Sequence, residues 1–253
     1  LPEIYLTSQA DNKLQTLAAG PTQPTYRDIA LKRGVLGTRP VNGGDPLPST
    51  AWHPAFEDVN NDGFIDLYVS KGNVAEQQGY ATRDPSNLYI GQPDGTFVEQ
   101  AEAAGIVNYD RGRGSALVDL DLDGLLDLVE VKLDAPVRVW RNLGAGTGDE
   151  PVPMGRWLGI VLRQEGSNRD AIGAVVEVAI GDALVRREVV VGGGHISGQR
   201  SPVHVGLGDA GQARVRVTWP DGEQGPWLTV DADRTVFLER GAADVTPIVP
   251  AGG

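Results

Sequence analysis

Apolar and polar residues alternate with a period of two through most of the chain, in short runs separated by Gly, Pro, Asn and Asp. Such alternation is typical of half-buried β-strands, and frequent turn residues are typical of antiparallel sheets. In the first half the runs return in the same order, which indicates a repeating β architecture. Residues 144–153, rich in Gly, Pro and acid, are typical of a linker. Beyond them, further short runs up to Leu238 predict a sandwich or small barrel.

Two acidic segments with nearly the same spelling lie between predicted strands. The first reads Asp58-Val-Asn60-Asn-Asp62-Gly63-Phe64-Ile-Asp66, and the second reads Asp119-Leu-Asp121-Leu-Asp123-Gly124-Leu125-Leu-Asp127. Oxygen-bearing side chains at positions one, three and five, a Gly at position six and an acid at position nine suit a hard cation. Position seven can offer its carbonyl oxygen, so an apolar side chain is acceptable there. The pattern predicts two calcium loops.

The N-terminus carries part of a third copy of this repeat. Residues 1–8 align with residues 64–71, which places Glu3 at position nine of a loop. We therefore expect the chain to begin inside a repeat unit, with more of the natural polypeptide upstream.

Composition narrows the function classes. The 253 residues carry a net charge of −12, which argues against nucleic acid or an anionic membrane as the main partner. There is no Cys, which excludes disulfides and thiol catalysis. No run reaches the roughly 18 apolar residues of a membrane span. Weak calcium loops suit the high calcium concentration outside the cytosol, so an exported protein is favoured.

Both halves resemble known families. The first half resembles FG-GAP/VCBS calcium repeats, the blades of integrin-like β-propellers. The second half resembles the ASPIC/UnbV domain that ends members of the cartilage acidic protein-like family. The residues that carry the second resemblance are Trp157-Leu-Gly159, Gly166-Ser-Asn168-Arg169-Asp170-Ala-Ile-Gly173-Ala174, Gly194-His195-Ile-Ser197, Val205-Gly206-Leu-Gly208 and Val217-Thr-Trp219-Pro220-Asp-Gly222. His195 departs from the family, which more often has Tyr there.

The resemblance implies an all-β fold in which partial integrin-like β-propeller blades are followed by a β-sandwich-like C-terminal domain. The expected boundaries are residues 1–150 for the repeats, 151–240 for the ASPIC/UnbV domain and 241–253 for a flexible tail. It also implies two Ca²⁺ sites. The ligands of the first would be Asp58, Asn60, Asp62, Phe64 and Asp66, and those of the second would be Asp119, Asp121, Asp123, Leu125 and Asp127.

The implied function is that of an exported protein, extracellular or periplasmic, with a binding, adhesion or assembly role and no enzymatic activity. Calcium would rigidify the propeller loops, and a protein or glycan would be the partner. Two alternatives remain open. The chain could be an accessory subunit of a larger extracytoplasmic complex, or it could belong to a carbohydrate-active enzyme whose catalytic residues lie upstream.

Other motifs favour structural interpretations. Glu130 completes the spelling of an EF-hand, but residues 126–132 alternate as a strand, so Glu130 is predicted to face solvent. Residues 206–211 match a dinucleotide-binding glycine pattern, but a β run follows where a helix is needed, so a turn is expected. His195, with Ser197 or Ser201, could form a catalytic pair, although a structural bend is favoured. Trp157 and Trp219 are predicted in the core of the second domain.

Overall fold

The computed structural model describes residues 3–9, 11–37, 50–73, 84–148 and 150–249, and these residues are almost entirely β-structure. Its strands form five small sheets, and those of the first half are arranged in the manner of β-propeller blades. The strands are β1 (Ile4–Leu6), β2 (Lys13–Leu17), β3 (Tyr26–Asp28), β4 (Ala51–Glu57), β5 (Asp66–Lys71), β6 (Asn87–Gly91), β7 (Phe97–Glu99), β8 (Gly112–Val118), β9 (Asp127–Lys132), β10 (Arg138–Trp140), β11 (Arg156–Arg163), β12 (Val175–Ile180), β13 (Ala183–Glu188), β14 (Val203–Gly208), β15 (Gln212–Thr218), β16 (Leu228–Asp231), β17 (Arg234–Glu239) and β18 (Thr246–Ile248); one short helix, α1, spans Ala30–Arg33. The all-β prediction is confirmed.

Three antiparallel sheets follow one another along the first half, in the orders β1-β2-β3, β4-β5-β6-β7 and β8-β9-β10. We call them the first, second and third blades. The two acidic loops connect β4 to β5 and β8 to β9, so each loop joins equivalent strands of its blade. Strands that pair in sequence order are the meander expected of propeller blades. The sequence repeat is therefore a structural repeat.

The second blade is covered on both faces. Every residue of β5 is buried, and the alternation of its side chains divides them between two apolar clusters. Leu67 and Val69 pack with Tyr5 of the first blade, whereas Tyr68 packs with Leu117 of the third blade. Because successive side chains of a strand point to opposite faces, one strand contributes to both interfaces. The blades are thus joined through β5.

The C-terminal half forms two four-stranded sheets, in the orders β14-β11-β17-β18 and β13-β12-β15-β16. Inward-facing residues of both sheets, including Ile160 and Val236 from one and Val178 and Val215 from the other, belong to a single apolar core. This arrangement confirms the sandwich-like domain. Part of the predicted flexible tail is ordered, because β18 lies within it and pairs with β17. Residues 250–253 of that tail lie outside the described residues.

The prediction that Glu130 faces solvent is wrong. Its carboxylate is buried between the second and third blades, where it accepts hydrogen bonds from Ser70 Oγ at 2.7 Å and Ser86 Oγ at 2.6 Å. It also forms a buried ion pair with Lys132. A Cβ at Gly112 would overlap this carboxylate, so glycine is needed there. The prediction that this loop is not an EF-hand is confirmed, because strands and not helices flank the loop that precedes Glu130.

Candidate metal centres

The two acidic loops have the same backbone conformation. Position four adopts the left-handed conformation in both, with φ of 61° at Asn61 and at Leu122. Position six has φ of 89° at both Gly63 and Gly124. A left-handed Leu costs about 1 kcal/mol or more, so this shape is maintained in the second loop against the preference of its own side chain. The repeated spelling therefore encodes a repeated turn.

The carboxylate at position one organises each turn from inside. Asp58 Oδ1 accepts from the amide of Asp62 at 3.2 Å, and Asp58 Oδ2 accepts from the amide of Gly63 at 2.8 Å. In the second loop, Asp119 accepts from the equivalent amides of Asp123 and Gly124 at 3.1 and 2.9 Å. These bonds bring the oxygens at positions one and five together, because the chain is folded around the first carboxylate.

The carboxylate at position nine acts as a clamp between the loop and the next strand of the sheet. Asp66 accepts from the amides of Val59 and Gly91, both at 2.8 Å. In the third blade, Asp127 accepts from the amides of Leu120 at 3.3 Å and Asn142 at 2.8 Å. The sequence predicts a metal ligand at this position, and the structure adds this backbone contact.

Oxygens suitable for a cation converge in the second loop. Asp119, Asp121 and Asp123 each offer a carboxylate oxygen, and the three oxygens lie within 4.8 Å of one another. The guanidinium of Arg141 lies beside them, with Nη2 at 2.8 Å from Asp121 and 3.5 Å from Asp123. A positive group therefore already accompanies these carboxylates.

The first loop has an amide where the second has a carboxylate. Asn60 donates from Nδ2 to Asp62 Oδ2 at 2.9 Å, while its Oδ1 accepts from the amide of Asp62 at 3.2 Å. Rotation of the Asn60 side chain would turn an oxygen toward Asp62. In both loops a nitrogen donor therefore contacts the clustered carboxylates. It is Asn60 Nδ2 on Asp62 in the first loop, and the Arg141 guanidinium on Asp121 and Asp123 in the second.

Burial makes ionisation of these carboxylates unfavourable. It raises the pKa of Asp58 to about 6, that of Asp66 to about 7 and that of Asp119 to about 6. Burial also raises the pKa of Asp123, and the neighbouring carboxylates of Asp121 and Asp127 add to the rise. Groups with like charge in a buried loop favour protons or a cation. A divalent oxygen-binding cation fits this donor set, because it would neutralise the crowded carboxylates.

The first loop lies between the second loop and the C-terminal domain, and Asn61 contacts both. Its side-chain Nδ2 donates to the carbonyl of Gly124 at 2.9 Å, and its Oδ1 accepts from His204 Nε2 at 2.7 Å. The carbonyl of Asn61 accepts from the amide of Gly208 at 3.0 Å. Burial lowers the pKa of His204 to about 4, so this His is neutral at physiological pH.

Two glycines permit the close approach of the domains to the loops. A Cβ at Gly206 of β14 would overlap Asp58 Oδ2, and a Cβ at Gly124 would overlap the indole of Trp157. Trp157 is buried as predicted, but it lies against the second loop and stacks on His204 at 6.0 Å, outside the apolar core that contains Trp219. This interface was not predicted from the sequence, because its only sequence signal was the two glycines, Gly124 and Gly206, for which the sequence alone gives no packing reason.

The structure also gives the contacts of the remaining sequence motifs. His195 contacts the ring of Trp52 at 4.5 Å. Ser197 Oγ lies 2.9 Å from Nδ1 of His53, and this nitrogen also accepts from the amide of Ser115 at 3.3 Å. A nitrogen that already accepts a backbone hydrogen bond is a poor general base. The glycine pattern of residues 206–211 spans the end of β14 and the turn into β15, as expected.

Comparison with known proteins finds similarity to a known family within the C-terminal half. Residues 164–245 match the family described as ASPIC and UnbV. Cartilage acidic protein 1 of Homo sapiens is 30% identical over 121 residues, which cover 46% of this chain and 15% of the relative. Cartilage acidic protein 1 of Mus musculus is 29% identical over 123 residues, or 47% of this chain and 16% of the relative. The matched part of the chain thus spans about one sixth of the length of these curated relatives.

The resemblance to FG-GAP/VCBS repeats stays a prediction, as do the two calcium sites. In the part of the chain that the structure describes, no helix is long and apolar enough to cross a bilayer.

Proposed function

We propose that this chain is part of an exported calcium-binding protein whose two acidic loops, once loaded with calcium, rigidify the blades and support the C-terminal domain. The observation that carries the proposal is the convergence of Asp119, Asp121 and Asp123 within 4.8 Å, in a loop whose shape is repeated at Asp58–Asp66. Oxygen ligands on a tight glycine turn are the donor set that Ca²⁺ prefers. The role is passive, and no catalytic step is assigned to the loops.

The ligand sets follow from the repeated geometry. In the second loop, Ca²⁺ would take the oxygens of Asp119, Asp121 and Asp123, and Arg141 would move away because it is half exposed. In the first loop, Asp58 and Asp62 would bind with Asn60 Oδ1 after the Asn60 amide rotates. The carbonyls of Phe64 and Leu125 and the clamp carboxylates Asp66 and Asp127 complete the proposed sets.

An exported location is supported by the similar proteins, which are named for cartilage. Loops with few rigid ligands bind calcium weakly, at the concentrations found outside cells. The binding partner would be a protein or a glycan.

The calcium proposal is tested by thermal unfolding with and without chelator. A ligand that binds only the folded state stabilises it by an amount that grows with ligand concentration over Kd, about 2.7 kcal/mol at a hundredfold excess. We expect Asp62→Ala and Asp123→Ala each to lower Tm by several degrees in millimolar calcium and to change it little in chelator. Asp182→Ala, in the exposed turn between β12 and β13, is the control.

Isothermal titration adds a direct count of sites. We expect two Ca²⁺ per chain for the native sequence and one for either loop variant. Equal Tm shifts of a loop variant with calcium and with chelator, or an unchanged site count, would contradict the proposal.

An assembly role is favoured by an open strand edge. In the described residues β10 pairs with β9 alone, and Val139 of β10 is 58% exposed. An unpaired edge with apolar residues is a place where another strand can add. Native mass spectrometry of the protein from its own source should show a second polypeptide at fixed stoichiometry. A mass explained by its own chain and calcium alone would exclude the accessory-subunit role and leave calcium binding intact.

A further inference from the structure

A cleft of about 330 Å³ lies between β4 of the second blade and residues 187–204 of the C-terminal domain. Its apolar wall includes Pro54, Phe56 and Val189, and its polar wall includes Glu57 and Arg187. Small-molecule sites in proteins are commonly clefts of this size between domains, mostly apolar with a few polar groups. The calcium proposal does not use this cleft.

Two polar atoms in the wall of the cleft are buried without a hydrogen-bond partner. They are Oε2 of Glu57 and Nε of Arg187. Buried polar groups in native proteins are nearly always satisfied, by protein or by a bound molecule. One of these atoms accepts and the other donates, so the molecule that satisfies both must offer a donor and an acceptor.

The two unpaired atoms restrict the chemistry of that molecule. An anion without a hydrogen would leave Glu57 Oε2 without a donor, and a cation without an acceptor would leave Arg187 Nε unsatisfied. A neutral hydroxyl group accepts from an N–H and donates to a carboxylate at the same time. The apolar wall of Pro54, Phe56 and Val189 suits the C–H face of a small ring or chain that carries such hydroxyls.

The glycine-rich segment 192–194 forms another part of the wall. A Cβ at Gly194 would overlap the ring of His53, so this backbone lies directly on the blade. Nδ1 of His53 accepts from Ser115 and contacts Ser197, which places the ring proton on Nε2. The neutral imidazole adds a polar group to the lining without adding charge.

We propose that this cleft binds a small neutral polyol of sugar size, whose hydroxyls accept from Arg187 Nε and donate to Glu57 Oε2. Water can supply the same hydrogen bonds, and a hydrated cleft is the alternative that the experiment must separate. A free sugar and the end of a glycan chain present the same hydroxyls, so the probes must also distinguish these two sources.

The test is an NMR titration of the whole chain, labelled with ¹⁵N, against glycerol, D-glucose, myo-inositol and maltose in separate samples. We expect saturable shifts of the amides of Gly192, Gly193 and Gly194 with at least one probe. Binding of glucose without maltose would assign a free sugar, and binding of both would assign a glycan end. A lack of saturable shifts with all four probes would overturn the proposal and leave a water-filled cleft.

Variants separate these hydrogen bonds from general stability. Glu57→Gln should weaken binding about tenfold, because the amide replaces one acceptor oxygen with an N–H donor. Glu102→Gln, on the exposed turn after β7, carries the same change and should bind as the native chain does. Gly192→Leu adds bulk at a wall position with open space, leaves Glu57 intact and should also abolish binding. Equal affinity in Glu57→Gln and Glu102→Gln would contradict the assignment.

Discussion

Asn61 contributes to the structure in several ways. It adopts the left-handed conformation, its amide joins the second loop to the first, and its Oδ1 holds the imidazole of His204. Asn tolerates this conformation better than most residues, because its short polar side chain bonds locally. At the equivalent position of the second loop, Leu122 has the same backbone but none of these side-chain bonds.

We expect Asn61→Ala to lower the free energy of unfolding by about 2–4 kcal/mol, because His204 and the Gly124 carbonyl lose buried partners. Leu122→Ala is the matched control and should cost less, since no hydrogen bond is broken. Urea denaturation of both variants measures the difference. Equal losses would show that the side-chain bonds of Asn61 contribute nothing.

At the scale of single elements, β14 couples stability to pH through His204. Its folded pKa of about 4 lies below the unfolded value of 6.5, so the unfolded chain binds more protons between these values. The stabilising contribution is therefore complete above pH 6.5 and is lost as pH falls toward 4. The shift corresponds to about 3 kcal/mol at most.

The comparison of native protein with His204→Gln isolates this effect from the carboxylates of the loops. We expect the difference in unfolding free energy to shrink by about 2 kcal/mol or more between pH 7.5 and pH 4.5, in urea titrations at fixed calcium. A difference that is constant with pH would contradict a neutral buried His204.

The acidic loops were predictable from the sequence because their shape depends on contacts within nine residues. Asp58 and Asp119 fold their own loops, and each strand alternation is likewise local. Glu130 was mispredicted because its partners, Ser70 and Ser86, come from a different blade. The surroundings of Trp157 and the existence of β18 were not predicted for the same reason, because both depend on packing between segments that are distant in sequence. Local spelling predicts elements, whereas long-range contacts decide which of their faces is buried.

At the scale of the whole molecule, the acidic loops and the C-terminal domain form one interface. Gly206 lies directly on Asp58, and β14 also holds His204 against Asn61. A loop ordered by calcium should therefore stabilise the docked domain as well as its own blade. We expect a single calorimetric transition in calcium.

The variant Gly206→Ala should separate that transition into two, because its methyl group would overlap the Asp58 carboxylate and displace the domain. Gly211→Ala is the control, since a Cβ at that position meets nothing within 4 Å. Two transitions in the native chain with saturating calcium, or one in Gly206→Ala, would contradict the coupling.

The contact between Asn61 and His204 also constrains the order of events during synthesis. These residues are 143 positions apart, so the first loop leaves the ribosome long before β14, which packs on it, has been synthesised. At a synthesis rate of about 5–20 residues per second, the surface of the blades that β14 later covers is exposed for several seconds or longer. β11 must likewise wait for its parallel partner β17. Nascent chains halted before β14 should therefore be more prone to aggregate than chains halted after β17.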